Sequence, residues 1–211
     1  MELGFLNKER GSHSYSIFRY DVDNKQIISL ERGFGEVSWE TLSEFDSNWK
    51  PLQKSNVYTI VHQQAPTTIN TGFSAIHPAQ IKNQLLWHNG ILKEANINKL
   101  QQIYRYSHQV TSWDTKLILK SLYYTGFKGL EEFDGSFACV YFDNKDFYLF
   151  RNSIAPLFMD DDLNISSVEF PNSRSITANE IYTVDLQNKR YTIKHKSFTS
   201  KEDPYYFNKK E

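Results

Sequence analysis

Residues 56–62, Asn56-Val57-Tyr58-Thr59-Ile60-Val61-His62, alternate between polar and apolar and are rich in β-branched and aromatic side chains. That period of two predicts a strand with one buried face. The runs 14–20 and 25–31 read as two more strands around a turn at Asp23-Asn24. The period lengthens at Ile97, Leu100 and Ile103, which predicts a helix over 97–106. A second helix is predicted over 115–124, where Leu117, Leu119, Leu122 and Tyr123 include an apolar stripe and Gly126 is the stop. Leu3 and Leu6 predict the end of a helix over 1–8, and Ser38 reads as the N-cap of a short helix over 38–45. The stretch 63–79 reads as loop and 129–132 as a connector. Residues 137–142 are almost continuously apolar, the pattern of a strand buried on both faces. Asp143-Asn144-Lys145-Asp146 turns that strand into a partner at 147–151, and further strands are expected around 165–167, 180–185 and 190–195. Strands, then two helices, then many strands favour a layered α+β fold of antiparallel sheets over a doubly wound parallel one.

One stretch combines pattern with chemistry. Leu85-Leu86-Trp87 ends a predicted strand, 84–87, at His88-Asn89-Gly90, and Lys93-Glu94-Ala95-Asn96 then opens a helix. Asn-Gly is a strong turn signal. An Asn side chain and a Gly N–H at a strand end also suit an oxyanion hole, which needs donors with no bulk in the way. Taken alone, the segment is a turn with a solvated histidine.

Composition narrows the classes. The 211 residues show no repeat and no low-complexity linker, so a single domain over 1–211 is expected. Hydrophobic residues make up 39% and aromatics 15%, enough for a packed core. With 24 basic against 25 acidic residues, the formal charge of -1 argues against binding nucleic acid or a membrane through bulk charge. No apolar run approaches the roughly 20 residues of a membrane span, and Met1-Glu2-Leu3-Gly4-Phe5 is unlike a signal peptide. The single cysteine, Cys139, excludes an internal disulfide framework and suits a reducing cytoplasm. Its place in the apolar run makes it a core thiol rather than a nucleophile. His62 and His77 lack Cys, Asp or Glu partners at metal-ligand spacing. Asp160-Asp161-Asp162 lacks the Gly and distal Glu of a calcium loop and reads as a solvated turn. Neither a metal nor a cofactor is expected. The tail 201–211, with Tyr205, Tyr206 and Phe207 among charges, reads as a fraying end.

Several segments, in order, resemble the glutaminase domain of class II glutamine amidotransferases, the N-terminal-nucleophile hydrolase type. They are Arg10-Gly11-Ser12-His13-Ser14, the stretch from His62 to Thr68, His77-Pro78, His88-Asn89-Gly90-Ile91-Leu92, Ser112-Trp113-Asp114-Thr115, Phe133-Asp134-Gly135-Ser136-Phe137-Ala138, and Arg151 followed by Pro156-Leu157. The match runs over about 1–185. It implies a four-layer αββα sandwich of antiparallel sheets and a reaction that hydrolyses glutamine to glutamate and ammonia. In that family an N-terminal cysteine thiolate attacks the side-chain amide, with its own α-amine as base. The resemblance assigns the oxyanion contacts to Asn89 and Gly90. It assigns the substrate ammonium to Asp114, and it places Thr67, Thr68 and His77 in the substrate loop. The position of the carboxylate-binding arginine matches Gln64. Read without the family, Asp114 is equally a helix-start residue favoured by the macrodipole, and Thr67 and Thr68 are loop hydroxyls bonding backbone.

Two departures follow. The sequence opens inside the family's first helix, so the strand that carries the cysteine is expected to be missing. Gln64 in place of arginine gives up a charge-assisted, bidentate contact. Three explanations stay open: a start upstream of Met1, a strand supplied by another chain, or a degenerate copy. The expected function is an amidotransferase-like domain impaired as the chain stands, with glutamine as ligand and an ammonia-accepting chain as partner. The alternative is a catalytically dead binding or inhibitory module, of viral or mobile-element origin on its Lys/Asn/Tyr-rich composition.

Overall fold

The computed structural model describes residues 11–37, 56–65, 72–105, 111–194 and 197–201. The helices expected over 1–8 and 38–45, the residues Thr67 and Thr68, and the tail beyond 201 lie outside them.

The first sheet has β1 (Ser14–Asp21) at its centre, antiparallel to β2 (Gln26–Phe34) and to β3 (Val57–Gln64). Register sets two rows across it: Phe34–Ser14–Gln64 and Arg32–Ser16–His62. Residues directly opposite in antiparallel strands share a face. These rows therefore lie on the face of β1 that carries Phe18 and Tyr20, which pack in the core between the sheets.

The second sheet is built from β4 (Ala79–Ile81), β5 (Gln84–Leu92), β6 (Gly135–Phe142) and β7 (Phe147–Arg151). A small sheet of β8 (Phe158–Met159), β9 (Ile165–Ser166) and β10 (Arg174–Ser175) follows. Then β11 (Ile181–Asp185) and β12 (Arg190–Lys194) return to the large sheet, whose order is β12-β11-β7-β6-β5-β4, antiparallel throughout. Between β5 and β6 the chain forms α1 (Glu94–Ile103), α2 (Asp114–Thr125) and a 3-10 helix, Gly126–Glu132.

Strand alternation gives the large sheet two working faces. Leu85, Trp87, Phe142, Phe147 and Leu149 pack toward Phe18 and Tyr20 of the first sheet. Leu86, Cys139, Tyr141, Tyr148 and Phe150 pack against Leu117, Ile118 and Leu122 of α2. β6 lies inside the sheet and is buried along nearly its whole length, as its continuous apolar run predicts. Burying each fully enclosed side chain such as Phe18 or Phe150 contributes about 2 kcal/mol. The described residues thus form helix, sheet and sheet, the antiparallel α+β layering expected. No described helix is long and apolar enough to cross a membrane.

One sequence expectation fails. His88-Asn89-Gly90 is not a turn that ends a strand. β5 runs through it to Leu92, and Asn89 and Gly90 stay in register with Ala138 and Phe137 of β6. A two-residue Asn-Gly turn of the commonest hairpin type needs positive φ at both residues. Only Gly90 has it, at 142°, so the glycine serves a local distortion inside a paired strand. The 63–79 loop is also shorter than expected, since β3 extends to Gln64 and a 3-10 turn, Phe73–Ala75, lies within it.

Candidate functional site

Gly90 fits its place for a steric reason. A Cβ there would lie 2.1 Å from the Ser136 carbonyl oxygen and 2.9 Å from His88 Nε2. With the positive φ, any side chain here is strained. Beside it, Asn89 shares the face of β5 that carries Leu85 and Trp87, turned toward the first sheet. Asn89 is partly exposed, and its side-chain amide makes no hydrogen bond among the described residues. It offers N–H donors that the fold does not use.

A chain of polar side chains runs from Gln64 of the first sheet to His88, which lies on the opposite face of β5. Gln64, at the end of β3, donates from Nε2 to the Ala75 carbonyl (3.2 Å). Its Oε1 accepts from His77 Nδ1 (2.9 Å) and lies 3.4 Å from the donating Ser14 hydroxyl. His77 Nε2 is 3.1 Å from Thr115 Oγ1, and the same hydroxyl is 3.2 Å from His88 Nδ1. His88 Nε2 faces the Ser136 carbonyl at 3.3 Å. His77, His88 and Thr115 are all buried. The His77 ring also stacks on His62 at 4.1 Å between centroids and meets Trp113 edge-on at 5.2 Å. Burial pushes His62 down to about 4 and holds His77 well below the usual histidine range, where the neighbouring His62, His88 and Arg32 lower it further.

Gly11 explains why the Arg-Gly motif and Gln64 belong together. A Cβ on Gly11 would lie 2.3 Å from the backbone nitrogen of Ala65, so the entry to β1 crosses directly over the end of β3. The His13 amide donates to the Gln64 carbonyl at 3.1 Å.

Asp114 is the first residue of α2 and is buried. One carboxylate oxygen accepts from the Leu92 amide (3.2 Å) and the other from the Thr115 amide (2.7 Å). The second oxygen also lies 3.9 Å from His88 Nδ1. Its contacts tie the start of α2 to the end of β5. Cys139, opposite His88 in β6, is buried, and burial pushes its thiol well up, with the Asp114 charge adding to the shift. A thiol so raised stays protonated and is inert as a nucleophile.

Of the residues singled out from sequence, Gln64, His77, Asp114 and Gly90 connect to the His88–Thr115 contact, Asn89 is turned to the other face of β5, and Thr67 and Thr68 lie outside the described residues. Sequence reading gave no role to His88, Thr115 or Ser136, which carry the centre of the network. It also passed over Arg32, whose Nε and Nη2 donate to the His77 and Pro78 carbonyls at 3.3 and 2.9 Å and brace the loop from the first sheet. The signal for Arg32 lay in pairing: it stands opposite Ser16, as His62 does from the other side.

No family model and no curated relative matches the chain in sequence. Solved structures do. Glutamine phosphoribosylpyrophosphate amidotransferase from B. subtilis, complexed with ADP and GMP, superposes over 91% of this chain with a TM-score of 0.66 at 16% identity. This chain has the amidotransferase fold. A structure described as the allosteric regulatory enzyme of purine biosynthesis matches equally, with a TM-score of 0.66, 17% identity and 91% of this chain covered. The match spans 45% of each of those chains, about half their length. At such identities the likeness establishes the architecture alone. The chemistry of this site rests on its own side chains.

Proposed function

We propose that this chain is a glutamine amidotransferase-like domain that receives a carboxamide, glutamine's in the first instance, at Asn89 and Gly90, and that it does not hydrolyse it unaided. The observation that carries this reading is the partly exposed Asn89 amide, which makes no hydrogen bond among the described residues, next to a glycine where any side chain is strained. Such donors suit a carbonyl oxygen or the oxyanion formed from it.

The impairment has a structural argument as well. Cys139 is the single cysteine of the 211 residues, and its thiol is buried and held protonated. A thiolate for amide transfer would come from outside this sequence, from upstream residues or from another chain. The groups matched to the substrate's carboxylate and ammonium, Gln64 and Asp114, are both bonded within the fold. That favours, as a second reading, a binding module that recognises a carboxamide without a free amino acid's head group.

Ammonia release from glutamine by the purified 211-residue chain tests both. The proposal expects none above background. Release that disappears with Asn89→Ala would overturn the impairment and leave a working glutaminase.

A further inference from the structure

The chain of Gln64, His77, Thr115 and His88, the last three buried, has a hydrogen-bond acceptor at each end. At one end Gln64 Nε2 donates to the Ala75 carbonyl, which turns Oε1 toward His77. Oε1 only accepts, so a neutral His77 carries its hydrogen on Nδ1 and shows a lone pair at Nε2 to Thr115 Oγ1. At the other end His88 Nε2 faces the Ser136 carbonyl, which also only accepts. A neutral His88 therefore carries its hydrogen on Nε2 and shows a lone pair at Nδ1 to the same hydroxyl. Two ring lone pairs and the Asp114 carboxylate, which accepts from Thr115 Oγ1 at 3.4 Å, compete for one hydroxyl hydrogen. With both rings neutral, at least one of the ring contacts sets lone pair against lone pair.

One added proton removes the conflict. An imidazolium donates to Thr115 Oγ1, and that oxygen donates its own hydrogen to the other ring. We infer that His77, Thr115 and His88 form a one-proton binding site, with the bound proton on His88. The surrounding charges choose between the rings. From α2, Asp114 Oδ1 lies 3.9 Å from His88 Nδ1 and 3.4 Å from Thr115 Oγ1. His77 instead meets His62 of β3, and Arg32 of β2 donates to its carbonyl, so two basic groups oppose a second cation there. From β6, the neutral Cys139 thiol stands opposite His88. Binding the proton satisfies both rings through one hydroxyl. It thereby couples the loop that carries His77 to the Ser136 carbonyl packed beneath Gly90.

The test is an acid titration of the full chain followed by the ring nitrogens in imidazole NMR. The first proton taken up by His62, His77 and His88 is expected on His88, giving hydrogens on both its nitrogens while His77 keeps a single one on Nδ1. First uptake at His77 or His62, or a His88 that stays singly protonated while they titrate, overturns the inference. Thr115→Ser, which keeps the hydroxyl, is expected to preserve the effect of His88 titration on the His77 signals, and Thr115→Val is expected to abolish it. Persistence of that coupling in the folded valine variant equally overturns the inference. If the variant does not fold, the wild-type order of uptake decides.

Discussion

The two halves of this site share a motif pattern and differ in what their side chains do. On the Asn89–Gly90 side, the carboxamide is partly exposed and makes no bond inside the described fold. On the Gln64–Asp114 side, both polar groups are spent on the protein's own backbone and rings. Partners explain the difference. A buried polar group must find a partner or lose about 1–3 kcal/mol, so buried Asp114 is held as a strut, and half-buried Gln64 is held by two buried residues, Ala75 and His77. Asn89, reached by water, is free to meet a ligand. A motif match therefore identifies positions, and the hydrogen bonds decide which of them still face outward.

Substitutions can break this comparison, and the largest effect is expected at Gly90. Gly90→Ala sets a Cβ against the Ser136 carbonyl at a positive φ, a combination expected to destabilise by about 3 kcal/mol or more, read as a lowered urea midpoint. Gln64→Ala leaves the Ala75 carbonyl and His77 Nδ1 without their partner and is expected to lose about 2 kcal/mol in the same measurement. A loss as small as that of an exposed residue would place Gln64 on the ligand side after all.

Acid sharpens the same contrast. Unfolded histidine binds its proton near 6.5, whereas folded His62 does so only near 4 and His77 well below its usual range. The unfolded state holds more protons between those values, so their contribution to stability is complete above about pH 6.5 and is lost as pH falls toward 4. Each such group gives a slope of about 1 kcal/mol per pH unit across that window. Unfolding midpoints measured from pH 7 to 4 check the sign. A smaller loss, about 1 kcal/mol, is expected for Cys139→Ser, which buries a hydroxyl among apolar neighbours. Glutamine binding should be unchanged by it. Asn89→Ala is expected to alter stability least, by less than about 0.5 kcal/mol, while abolishing the binding of glutamine.

Much of the architecture was legible because its periods are clean. The alternation at 56–62, the apolar run at 137–142 and the Gly126 stop all correspond to elements of the structure, β3, β6 and the end of α2. His88-Asn89-Gly90 misled because local turn chemistry was outweighed by pairing with β6, a contact about fifty residues away that no local pattern contains. The bonds within the candidate site were not legible in the sequence. Gln64 stands out in the sequence only by its match to the family's arginine, and nothing local shows that its amide is shared between Ala75 and His77. Thr115 looked like a helix residue, yet its hydroxyl meets two rings from separate segments. Such partners depend on tertiary packing, which spacing along the chain does not encode.

The most direct test follows side-chain and backbone amide signals of the 211-residue chain as glutamine is added. The account predicts saturable shifts at the Asn89 side-chain amide and the Gly90 N–H, with the Gln64 side-chain amide unmoved. Shifts at Gln64 with Asn89 unmoved, or no saturable shift at Asn89 and Gly90, would contradict it.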